Sequence, residues 1–128
     1  MKKVLVLLAL VIGLAGAAAG YAGQAQAGYV QGAVYFGGCG GSCGYANGYT
    51  VHIQFNWPAI GWGYYADVRS GVCGSGCYSA FTNVGPGGQF RARVCEGGYS
   101  SSWTYSQPYL NGYFYISSMP IYQLYNGC

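Results

Sequence analysis

Six cysteines, one histidine and two carboxylates carry most of the chemistry open to this 128-residue chain. Four of the cysteines fall into two look-alike segments, Cys39-Gly40-Gly41-Ser42-Cys43 and Cys73-Gly74-Ser75-Gly76-Cys77, each a C-x3-C spaced by small residues. As thiolates at this spacing they could hold zinc; oxidised, they close small loops or cross-link to one another. No histidine lies near either pair, and the chain opens on an export signal, so disulfides are expected and no metal site is assigned. The simplest pairing joins Cys39 to Cys43, Cys73 to Cys77 and Cys95 to Cys128. A ladder bonding one C-x3-C to the other is the rival, and Cys128 could instead bond a neighbouring subunit. Loop-closure entropy gives each local bridge about 2 kcal/mol and a bridge spanning the C-terminal region about 3 to 4 kcal/mol.

The single histidine, His52, alternates with Thr50 and Gln54 on what reads as the outward face of a strand. With only Asp67 and Glu96 as acids, acid–base pairs are scarce. Asp67 could complete a Ser-His-Asp arrangement, but no Gly-x-Ser-x-Gly elbow precedes a helix. Glycosidase chemistry would need Asp67 and Glu96 in one cleft. A non-enzymatic protein without cofactor is therefore expected. Trp57, Trp62 and Trp103 sit among many tyrosines and offer flat faces for sugar rings or protein partners. Filling the core is the other use of such side chains. Trp57-Pro58 and Trp62 flank a loop, which makes them the better candidates for exposure.

These residues must be positioned by a small exported domain. Met1-Lys2-Lys3 followed by the apolar run from Val4 to Leu14 has the form of a secretory signal peptide, and Ala25-Gln26-Ala27 supplies an A-x-A cleavage pattern. Residues 1–27 are read as the leader, with the Ala19/Gly20 junction as a second cleavage choice, and 28–128 as one secreted or cell-surface domain. A retained anchor over Val4 to Ala22, with its Gly16-x-x-x-Gly20 packing pattern, is the competing reading. After the leader only Arg69, Arg91 and Arg93 stand against Asp67 and Glu96. So few cations exclude the many phosphate contacts of nucleic-acid binding and a polybasic membrane patch. The same shortage of charge gives little protection against self-association.

Beyond the leader there is no apolar stripe of helical period. Short runs rich in Tyr, Val, Ile, Phe and Thr recur instead, separated by Gly, Asn, Ser and Pro: Tyr29 to Phe36, Tyr49 to Phe55, Trp62 to Arg69, Tyr78 to Val84, Gln89 to Cys95, Gly112 to Ser117 and Ile121 to Tyr125. Val51, Ile53 and Phe55, then Phe90, Ala92 and Val94, alternate with polar residues as half-buried strands do. The expectation is all-β: a small, seven-stranded, antiparallel, immunoglobulin-like β-sandwich stapled by disulfides. Gly85-Pro86-Gly87-Gly88 is strong turn chemistry, which predicts a hairpin between the fourth and fifth runs.

That segment, Tyr78 to Val94, resembles the hairpin of transthyretin-like and carboxypeptidase-regulatory-like β-sandwiches, where a threonine-containing strand turns through a Gly-rich loop into a Gly-x-Phe strand, matched here by Thr82 and by Gly88-Gln89-Phe90. The resemblance covers under about a fifth of the domain and implies architecture only. Families of this kind include secreted carriers, adhesive modules and surface-fibre subunits.

Two functions follow as expectations. The first is an extracellular structural subunit that assembles with itself into a layer or filament, with Gly28 to Phe36 (Tyr29, Val30, Val34 and Phe36 in particular) as a strand donated to a neighbour's sheet. Pairing of that strand within its own domain is the alternative. The second is a monomeric module that binds a glycan or a surface protein through Trp57, Trp62 and loop tyrosines.

Overall fold

The computed structural model describes residues 27–39 and 42–123. Residues 1–26 of the expected leader, the end of the last expected strand and Cys128 lie outside the described residues. The strands are β1 (Gly28–Phe36), β2 (Thr50–Trp57), β3 (Gly61–Arg69), β4 (Cys77–Thr82), β5 (Phe90–Glu96), β6 (Tyr99–Ser100), β7 (Thr104–Tyr105), β8 (Tyr113–Tyr115) and β9 (Met119–Gln123). Each of the seven expected runs overlaps a strand. The two that the sequence reading lacked, β6 and β7, are two residues long.

The described residues are all-β, but they do not form the expected seven-stranded antiparallel sandwich. Among the described residues nine strands form one curled, mixed sheet with the order β3-β2-β5-β6-β9-β1-β4, in which β7 also pairs with β5 and β8 with β1. The sheet is mixed because β1 runs parallel to both β8 and β9, while its other edge is antiparallel to β4 from Gly28↔Thr82 to Ala33↔Cys77. The curl forms a half-barrel, and its two end strands, β3 and β4, meet at a seam where the Tyr65 hydroxyl donates to the Phe81 carbonyl at 3.3 Å.

The expected hairpin between Tyr78 and Val94 does not form: β4 bonds to β1, and β5 bonds to β2. The Gly85–Gly88 turn is present, with the Gly88 amide donating to the Gly85 carbonyl at 3.1 Å. It carries the chain from one side of the curl to the other. A turn sequence specifies a local reversal, whereas the lateral partner of each strand is chosen by side-chain fit. Tyr78 shows that fit. Its fully buried ring lies across β1 at Gly32, where an added Cβ would stand 2.4 Å from the Tyr78 hydroxyl. Only a glycine in β1 leaves room for it.

Inside the curl, Val30 and Val34 of β1, Val51, Ile53 and Phe55 of β2, Tyr78 of β4, Phe90, Ala92 and Val94 of β5, Phe114 of β8 and Met119 and Ile121 of β9 form one core. Full burial of side chains of this size contributes roughly 1.5–3 kcal/mol each. The irregular loop before β2 is tied down by Ser70, which is itself buried: its hydroxyl donates to the Ala46 carbonyl at 2.7 Å and accepts from the Tyr49 amide at 3.0 Å.

Two disulfides join Cys39 to Cys43 and Cys73 to Cys77, with Cα separations of 5.5 and 5.1 Å. Of the connectivities open in the sequence, these four cysteines adopt the local one. Cys95 is also disulfide-bonded; Cys128, its expected partner, lies outside the described residues. Disulfides of this kind belong to a fold matured under oxidising conditions. Among the described residues no helix is long and apolar enough to cross a membrane.

Candidate functional site

Strict alternation in β2 and β5 sends Thr50, His52 and Gln54, and Arg91 and Arg93, to the outer face of the sheet, opposite the core. Register then assembles them into rows. His52 lies between Asp67 of β3 and Arg93 of β5, Gln54 between Tyr64 and Arg91, and Thr50 faces Arg69. On the far edge of β5, Tyr105 of β7 faces Arg91. A bulge in β3 at Ile53/Gln54 lets Tyr65 turn inward against Phe55 and Phe90 without disturbing the outer register.

The rows form contacts of three kinds. His52 Nδ1 and Asp67 Oδ1 are 2.9 Å apart, both half-exposed. The Arg91 guanidinium lies over the Trp62 ring at 4.5 Å and over the Trp103 ring at 4.1 Å, and Arg93 lies over Trp103 at 4.7 Å. Such cation–π contacts are electrostatic attractions to the ring face. Arg91 is further fixed by donating from Nε to Gln54 Oε1 at 2.8 Å and from Nη1 to the Tyr105 hydroxyl at 3.3 Å. Beside these groups His52, Gln54, Tyr64, Asp67, Arg93 and Trp103 line an open depression of about 270 Å³.

At the rim, one Glu96 carboxylate oxygen accepts the Thr50 amide and the other lies 3.8 Å from Arg69. The backbone hydrogen bond from Thr50 first, then the Thr50 side chain and the charge of Arg69, hold the Glu96 carboxyl below its ordinary range. A carboxylate with a lowered folded-state pKa stabilises the fold above its unfolded value, and that contribution disappears as pH falls through the folded value. Glu96→Gln is therefore expected to melt below the parent protein at neutral pH and to converge with it in acid. Paired thermal melts across that range check it; a gap that stays constant with pH would contradict the assignment.

All six ionisable side chains of residues 28–128 other than tyrosine and cysteine, namely His52, Asp67, Arg69, Arg91, Arg93 and Glu96, stand on β2, β3 and β5 on or at the rim of this one face. The outer face of β4, β1 and β8 is the reverse. Phe81, 59% exposed, meets Tyr29 edge-on at 5.8 Å, Tyr29 stacks with Tyr113 at 5.9 Å, and Tyr113 stacks with Tyr115 at 5.0 Å. An uncharged aromatic ladder thus runs across three strands.

The expected site residues distribute unevenly. Trp62 and Trp103 come together over Arg91. Trp57 does not join them: it is half-buried against the core, 4.8 Å edge-on to Phe55, because it continues the inward phase of Val51, Ile53 and Phe55. Of the expected donor residues, Val30 and Val34 are fully buried, Phe36 packs against the core and Tyr29 belongs to the aromatic ladder. Their strand is bonded on both edges within its own chain. Arg91, Arg93, Tyr105, Phe81, Tyr113 and Tyr115 were not among the expected site residues; the signal for the first three was the R-A-R alternation of β5 set against W-T-Y in residues 103–105. The depression's lining contains no serine, and its one cysteine, Cys95, is disulfide-bonded. No family model matches the chain, and comparison with curated protein sequences finds no match.

Proposed function

We propose that this is a non-enzymatic, extracellular structural protein that associates with copies of itself through the aromatic face of β4, β1 and β8. One observation carries the reading: charge stands on other strands, β2, β3 and β5, so the ladder, exposed at Phe81, Tyr29 and Tyr115 with Tyr113 half-buried between them, has no ionisable neighbour other than tyrosine on its own strands. Interface cores are depleted in charged residues and enriched in tyrosine and phenylalanine. Tyrosine also contributes contact area with little loss of rotamer freedom. Exchange of β1 between copies would break pairings on both of its edges, so association of faces is the less costly route.

Light scattering after size exclusion of the non-reduced protein, with the same fractions viewed by negative-stain electron microscopy, tests this directly. Dimers are expected, since one face meeting its own copy closes on itself, and they should persist in high salt because the contact holds no ion pairs. A monomer at every concentration would sink the reading.

A further inference from the structure

The charged face is not explained by self-association, and its two central cations lack counter-charges. Among the described residues the only ion pairs are His52 with Asp67 and Arg69 with Glu96. Arg91 and Arg93 therefore stand side by side, about 7 Å apart along β5 by strand geometry, with no carboxylate in pairing range. Both are half-buried and stacked on indoles, which fixes the direction of their remaining N–H groups. A guanidinium held in this way presents a planar fork suited to carboxylate or sulfate.

We infer that the Trp62–Arg91–Trp103–Arg93 array binds an acidic polysaccharide, its anionic groups on the arginines and its sugar rings on the neighbouring aromatic surface. The class of ligand follows from three features of the face. The depression of about 270 Å³ is open and falls short of the roughly 300–1,000 Å³ of pockets that enclose small molecules, so it suits a polymer lying across the strands. Two unpaired cations are too few for the multiple phosphate contacts of nucleic acid. Tyr64, exposed beside the depression, Trp62, Trp103 and Tyr105 add amphipathic rings that pack on sugar C–H faces while their polar atoms reach hydroxyls. This site stands on β2, β3, β5 and β7, whereas the proposed assembly face stands on β4, β1 and β8, so either reading can fail without the other.

Isothermal titration of the purified protein with oligogalacturonate tests it, with heparin fragments as the sulfated counterpart. The methyl ester of the same galacturonate and poly-L-glutamate serve as charge-free and sugar-free controls. Binding to oligogalacturonate or heparin is expected, the better of the two identifying the anion. It should weaken as ionic strength rises and fall about tenfold in Arg93→Gln, the loss of one charge-assisted contact. Trp103→Phe, which keeps a ring in place, should bind more weakly with an unchanged melt. No binding to either acidic polymer, equal binding to the methyl ester, or equal binding to poly-L-glutamate would each overturn the inference.

Discussion

Replacing Phe90 by alanine is expected to lower the melting temperature by roughly 15–30 °C and to leave a large unfolded fraction near physiological temperature. Phe90 is fully buried in β5, and its ring meets three others: Phe55 at 4.9 Å, Tyr65 at 5.0 Å and Phe114 at 5.0 Å. These come from β2, β3 and β8, so one side chain ties β2 and β3 to the strand that pairs with β1 across the inside of the curl. Truncating a buried Phe costs about 3–5 kcal/mol, because the neighbours cannot collapse into the space. A domain of about a hundred residues has only about 5–15 kcal/mol in total. Phe81→Ala is the matched control, since it removes an exposed ring and should shift stability by about 0.5 kcal/mol or less. Thermal melts of both variants with disulfides intact decide the matter; equal melting temperatures would mean that the core is not where the structure puts it.

The second large effect concerns assembly. Phe81→Lys combined with Tyr115→Lys places two ammonium groups on the aromatic ladder without touching the core, as both positions are exposed. Desolvating an unpaired charge in a contact costs several kcal/mol, and a contact between like faces sets lysines against lysines. Association should weaken by at least about a hundredfold, equivalent to about 3 kcal/mol, while the melting temperature of the subunit itself stays close to the parent value. Light scattering gives the first number and calorimetry the second. A doubly substituted protein that assembles like its parent would remove the aromatic face from consideration.

The strands were legible wherever polarity alternated. Val51-His52-Ile53-Gln54-Phe55 and Phe90-Arg91-Ala92-Arg93-Val94 declare their faces residue by residue, and both faces are as expected. The same alternation, carried two residues further, puts Trp57 inside; its place beside a loop suggested exposure, and the period outweighed it. Lateral order was not legible. The Gly85–Gly88 turn marks a reversal of the chain but not which strand lies beside which, and the parallel pairings of β1 join residues far apart in sequence. The Asn111-Gly112 pair was an available hairpin signal. Both residues have positive φ, at 49° and 94°, and Leu110 and Tyr113 exchange backbone hydrogen bonds across them. The cation–aromatic array was half visible: each strand's contribution alternates openly, but only the β5–β7 pairing brings Arg91 to Tyr105 and Trp103.

The placement of charge has a bearing on durability. Every arginine and every acidic residue of the described domain lies within a paired strand, none in a loop. Proteases that cut after basic or acidic side chains need an extended, accessible segment around the target bond, and the connections between the described strands contain no such residue. Their attack must await opening of β3 or β5. Resistance to such enzymes outside the cell then reports the equilibrium population of opened molecules when reclosing is fast, and a protein almost without surface charge becomes as long-lived as its core is stable.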